Sequence, residues 1–114
     1  MQTTAFVTEP EIRLAAQRAL LDEVPPRLRS VSFDIADDGR LRARFEFDGN
    51  PTDEERECAS VVMTNILATL SPAISFSEDF VSNPFPQRRN FLPIPVYARN
   101  EDAWNSWTAS YGNE

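Results

Sequence analysis

Val31-Ser32-Phe33-Asp34-Ile35-Ala36-Asp37-Asp38-Gly39-Arg40-Leu41-Arg42-Ala43-Arg44-Phe45-Glu46-Phe47 holds two runs in which apolar and polar residues alternate. Period two is the signature of a strand with one buried face. A turn rich in Asp and Gly separates the runs, so they form a hairpin, and the apolar pattern selects its register. A two-residue Asp38-Gly39 turn would set Ile35 opposite Arg42 and put a charge on the apolar face. A three-residue loop from Asp37 to Gly39 sets Ile35 opposite Leu41, Phe33 opposite Ala43 and Val31 opposite Phe45. It also sets Asp34 beside Arg42 on the other face. Only the second register buries one clean face, and Gly39 supplies the left-handed residue that such a loop needs.

Helical patterns flank the hairpin. Upstream, Thr8 and Glu11 have capping-box spacing and Pro10 falls in the first turn. Ile12, Ala16, Ala19 and Leu20 follow at helical spacing, and Val24-Pro25-Pro26 ends a helix expected over about 9–23. Downstream, Gly49-Asn50-Pro51 turns the chain and Thr52-Asp53-Glu54-Glu55 opens a second helix. Its stripe of Ala59, Val62, Met63, Ile66, Leu67 and Leu70 is wide enough to lie on a sheet, and Ser71-Pro72 stops it. A third strand is expected around Ile74, Phe76 and Phe80. Residues 82–93, with Pro84, Pro86 and Pro93, form a long loop, because proline cannot sit in a central strand. A short edge strand follows near Ile94, Val96 and Ala98. The order α-β-β-α-β-β predicts an α+β fold: a small antiparallel sheet of three to four strands with two helices on one face. The 114 residues make a single domain, 1–114, with 100–114 as a C-terminal tail or short helix carrying Trp104, Trp107 and Tyr111.

Composition narrows the chemistry. Eighteen acidic residues outnumber eleven basic ones, all of them Arg, for a net charge of −7, and there is no His and one Cys. Without His, neither a Ser-His-Asp nor a Cys-His nucleophile can be assembled, nor a His proton shuttle. The single Cys58 leaves no ligand set for zinc and no internal disulfide. The acidic balance opposes nucleic acid or anionic lipid as a partner. No long apolar run or signal-peptide pattern is present, so a cytoplasmic location is expected. Neither a metal nor a cofactor is expected, and no enzyme.

The densest chemistry is Glu46, Asp48, Asp53, Glu54, Glu55 and Glu57, six carboxylates in twelve residues offset only by Arg56. Acidic residues suit the positive end of a helix dipole, which accounts for Asp53, Glu54 and Glu55. It leaves Glu46, Asp48 and Glu57, and the alternative is a surface that docks a cationic partner. Nothing in the sequence buries these side chains. Asp34 to Gly39 has the start of a calcium loop, but Ala36 and Phe45 stand where ligands are required, so it reads as a turn. Arg40, Arg42 and Arg44 line the outer face of one strand and read as solvated. Cys58 reads as a small hydrophobe beside the helix stripe. Trp104 and Trp107 either cover the sheet or anchor a partner.

The phrases Ala19-Leu20-Leu21, Val24-Pro25-Pro26-Arg27-Leu28-Arg29-Ser30-Val31, Phe45-Glu46-Phe47-Asp48-Gly49 and Thr52-Asp53-Glu54-Glu55 resemble a group of small bacterial proteins met beside polymorphic toxins, immunity proteins of the contact-dependent growth inhibition type. The similarity covers about 45 residues, and the chain has Thr64-Asn65 where the relatives would carry Thr-Glu. The resemblance implies a protein that binds one toxin domain and blocks it. Nuclease toxins are commonly basic, and an acidic patch would be complementary to such a partner. The contact residues expected on the residue reading are Glu46, Asp48, Asp53, Glu54 and Glu57, with Trp104 and Trp107 as anchors. The alternative is a homo-oligomeric structural or adaptor domain that pairs through its sheet face or edge strand.

Overall fold

The computed structural model describes residues 8–21, 24–70 and 75–101. Six elements follow in the order helix α1 (Glu9–Leu20), strands β1 (Leu28–Ile35) and β2 (Leu41–Phe47), helix α2 (Asp53–Leu70), and strands β3 (Phe76–Ser82) and β4 (Ile94–Ala98). The element order and the α+β class are as expected. Ile74, Trp104, Trp107 and Tyr111 lie outside the described residues, as does any helix over 102–114.

The β1–β2 register is the one the alternation selects: Ile35 pairs with Leu41, Phe33 with Ala43, Val31 with Phe45 and Asp34 with Arg42. Ala36 and Arg40 close the three-residue loop, and Gly39 takes a φ of 86°. A Cβ at that φ would meet the neighbouring carbonyl, which is why glycine stands there. Both helices begin as their caps direct. The Glu11 carboxylate accepts the Thr8 amide at 2.9 Å, and Thr52 and Glu55 exchange bonds at 2.8 and 3.1 Å.

The sheet departs from the expected all-antiparallel form. Its order is β3-β2-β1-β4, and β3 runs parallel to β2. The physical cause is the 18-residue α2 between those strands. Antiparallel neighbours can be joined by a tight turn, whereas a helix carries the chain back to the end where it started and returns it in the same direction. Phe45 and Phe80 face each other across this pair with ring centroids 5.7 Å apart. β4, with its Pro95, is an edge strand as expected, and Arg13 of α1 donates to the Pro95 carbonyl at 2.7 Å.

One core joins the elements. Ile12, Ala16 and Ala19 of α1 and Ala59, Val62, Met63 and Ile66 of α2 pack with Val31, Phe33, Phe45 and Phe47 of the hairpin, and Leu67 and Leu70 close its margin. The opposite face of the hairpin, however, is also covered. Ser30, Ser32 and Glu46 are buried, because the loop 83–93 lies over them. The Leu92 amide donates to Ser32 Oγ at 2.9 Å and the Asn90 amide to Glu46 Oε2 at 2.8 Å.

Candidate functional site

The six clustered carboxylates divide sharply by surroundings. Glu46 is fully buried, which corrects the expectation that all six face solvent. Its carboxylate accepts the Ser30 hydroxyl, the Asn83 side-chain amide and the Asn90 backbone amide. It therefore fastens the loop to the sheet and presents nothing to a partner. Asp48 is half-buried: Oδ1 accepts the Phe85 amide at 2.9 Å and Oδ2 accepts Arg99 Nη2 at 3.0 Å. The Phe85 amide, and then the Arg99 guanidinium, hold its pKa below the usual carboxylate range. Glu55 caps α2 and lies 3.3 Å from Arg27 Nε.

Asp53, Glu54 and Glu57 remain exposed. On a helix, Glu57 stands four residues from Asp53 and three from Glu54, so the three carboxylates form one cluster on the first turns of α2. The Asp53 side chain is 99% exposed, and its partner Arg56, at 2.9 Å, is on the same helix. One turn further, Val61 is 43% exposed, adding an apolar contact beside the charges.

A second constellation went unread in the sequence. Leu28 pairs with Phe47 but Ser30 pairs with Glu46, so the strand bulges at Arg29. A bulge re-aims its extra side chain, and here the guanidinium is buried, 2% exposed. It forms a fork on Glu101, Nε to Oε2 at 2.7 Å and Nη2 to Oε1 at 2.8 Å. It also donates to the carbonyls of Asn83 at 2.6 Å and Gln87 at 2.8 Å, both in the loop. Arg99 Nη2 lies 2.9 Å from Glu101 and bridges it to Asp48. Hydrogen bonding from Arg29 depresses the Glu101 pKa, against the opposing effect of burial, and the same bond raises that of Arg29. A sequence signal existed: a lone charge among Leu28, Ser30 and Val31 at the start of a strand. Its partner, 72 residues away, could not be named from it.

The loop, Arg29 and Glu101 enclose a cleft of about 420 Å³, lined by Phe85, Arg88, Arg89 and Phe91 among others. Arg29 lies 5.6 Å from the Phe85 ring centroid and Arg89 5.6 Å from that of Phe91. Among the described residues, no group of three or more His, Cys, Asp or Glu side chains could hold a metal ion. No described helix is long and apolar enough to cross a membrane.

The family model for MafI2 immunity proteins matches residues 9–101, every described element included. The chain belongs to the MafI2 immunity protein family. No curated protein matches it. For a MafI2 family member, the match shows an immunity protein, consistent with a polymorphic toxin system. It ends at residue 101, before Trp104 and Trp107. A bacterial immunity protein of a polymorphic toxin system is what the phrases around Pro26 and Asp48 implied.

Proposed function

We propose that this protein is a non-catalytic inhibitor that acts in the cytoplasm, binding a cognate toxin domain through the carboxylates at the start of α2. The observation that carries this reading is the state of Asp53, Glu54 and Glu57. They are exposed, clustered and not used to hold the fold together, whereas Glu46, Asp48 and Glu55 are. A surface of this kind attracts a basic protein, a nuclease of a contact-dependent inhibition system for example, and raises its association rate.

Asp53→Lys, Glu54→Lys and Glu57→Lys together test it. The triple variant is expected to slow association with a cognate toxin domain by about tenfold or more at low salt, since steering of this kind can contribute 10- to 1,000-fold. The wild-type rate is expected to fall steeply as salt rises. A triple variant that folds and associates at the wild-type rate refutes this placement of the site. Self-association has one observation in its favour: β3 is an edge strand whose Phe76 is 45% exposed. Sedimentation of the isolated chain decides it, and a monomer across the accessible concentrations removes it.

A further inference from the structure

The cleft under the Pro-rich loop differs in character from the rest of this acidic chain. Three guanidinium groups, of Arg29, Arg88 and Arg89, line it against one carboxylate, Glu101, a local excess of positive charge in a protein of net −7. The three are not equivalent. Arg29 is spent on Glu101 and on the Asn83 and Gln87 carbonyls. Arg89 is held by the Arg99 carbonyl at 2.7 Å and stands against Phe91. Arg88 is exposed, and among the described residues its guanidinium has no hydrogen-bond or ion-pair partner. At the rim, Phe85 and Phe91 are 37% and 38% exposed. A free guanidinium, that of Arg88, beside positioned aromatic rings makes a receptor for an anionic group attached to apolar or aromatic substance.

We propose that this cleft receives a carboxylate-bearing segment of a partner protein, one or two Asp or Glu side chains next to an aromatic or aliphatic one. It rests on the reading above, that the partner is a toxin domain, and gives that partner a second, oppositely charged point of contact. Arg88 supplies the free guanidinium for a carboxylate, a geometry that arginine matches with two parallel bonds. Phe85 and Phe91 supply apolar contact. The volume lies low in the range of about 300–1,000 Å³ typical of ligand pockets, enough for a few side chains. A nucleic acid strand fits less well, since its repeating charge would have to run past Asp53, Glu54 and Glu57 on a chain that is acidic overall. The Phe85 rim is bonded to Asp48, five residues before Asp53, so one partner surface of mixed charge can span the cleft and the helix end.

The test uses the full chain and a fluorescein-labelled peptide of sequence Gly-Glu-Asp-Phe-Asp-Glu-Gly, read by fluorescence polarisation. The wild type is expected to bind it saturably, and Arg88→Glu to weaken binding at least tenfold while unfolding at the wild-type temperature. Phe91→Ala is expected to weaken it severalfold. Equal binding by Arg88→Glu, equal binding of the Gln-Asn analogue of the peptide, or tighter binding of a single-stranded oligonucleotide of equal charge would each overturn the proposal. A photo-crosslinker in place of Phe91 should capture the peptide; capture of a second copy or of the same chain instead would overturn it too. Failure here leaves the α2 reading standing, because the peptide does not use that surface. Loss of toxin binding in the lysine triple variant with peptide binding intact separates the two in the other direction.

Discussion

Replacing Glu101 with Gln removes one charge from the most buried ion pair among the described residues and changes almost nothing in shape. Arg29 and Glu101 are 2% and 6% exposed, and the fork between them has both bonds within 2.8 Å. A charge taken out of water is tolerated only while its counter-charge is present, and breaking a buried pair on one side typically costs about 3–5 kcal/mol. The Asn83 and Gln87 carbonyls still reach Arg29 but carry no charge. The expected loss in Glu101→Gln is therefore about 3 kcal/mol or more. In a chain of this size, that is a fall of about 12 °C or more in Tm, taking roughly 4 °C per kcal/mol. Total stability of such a domain is about 5–15 kcal/mol, so the variant should remain folded enough to measure. Urea unfolding followed by far-ultraviolet circular dichroism gives the difference, provided the slope with denaturant is unchanged. The double variant Arg29→Met, Glu101→Leu should cost less than the sum of the two single variants, because no unpaired charge of the pair is left, although it strands the Asn83 and Gln87 carbonyls and removes one partner of Arg99. A single-variant loss under 1 kcal/mol, or a double variant worse than the sum of the singles, would refute the claim that the pair is a buried, mutually dependent unit.

The same carboxylates set the acid limb of stability. The Glu101 and Asp48 pKa values are depressed on folding, so their contribution is complete above the ordinary values of 4.5 and 3.8 and is lost as pH falls through the lower folded values. Stability should decline below about pH 4.5, and that decline should be shallower in Glu101→Gln; an equal slope would show that Glu101 does not govern it. Glu46→Ala strands the Ser30 hydroxyl, the Asn83 amide and the Asn90 amide, and at 1–3 kcal/mol for a buried unsatisfied group should cost about 3 kcal/mol by urea unfolding. Hydrogen exchange at Asn90 and Leu92 should quicken in that variant, and unchanged protection there would argue that Glu46 does not hold the loop. Gly39→Ala should cost about 1 kcal/mol, because φ is 86° at that position, with Gly39→Asn cheaper.

The hairpin was legible because two constraints met on it. Alternation fixed which residues share a face, and a one-residue slip would have placed Arg42 in the core. The stripe from Ala59 to Leu70 was legible for the same kind of reason, a period that only one element satisfies. The direction of β3 had no such signal in its own residues. It followed from the length of the connection before it, and an 18-residue helix between two neighbouring strands points to a parallel pair. Glu46 was misplaced because alternation reports faces and not solvent. It sits on the polar face as expected, but the loop 83–93 has no period from which to foretell that it returns over that face. Arg29 was passed over because a bulge breaks the alternation on which strand reading depends.

What the structure changes most is the meaning of the net charge. A dense acidic segment looked like one surface, yet its members have different duties. Glu46 and Asp48 fasten the loop, and Glu55 caps a helix. A carboxylate that holds the fold together cannot also be surrendered to a partner without loosening what it holds. Asp53, Glu54 and Glu57 hold no loop and cap no helix: the ion pair of Asp53 is with an exposed neighbour on its own helix, which contributes little, and the first-turn charges of Asp53 and Glu54 add only about 0.3–1 kcal/mol each through the helix dipole. Substitutions at these three positions should therefore alter recognition with little effect on unfolding, while substitutions at Glu46 or Glu101 should alter unfolding first and recognition only as a consequence. Measuring both quantities on both sets of variants tests the division directly, and a lysine at position 57 that unfolded the domain as severely as the loss of Glu46 would contradict it.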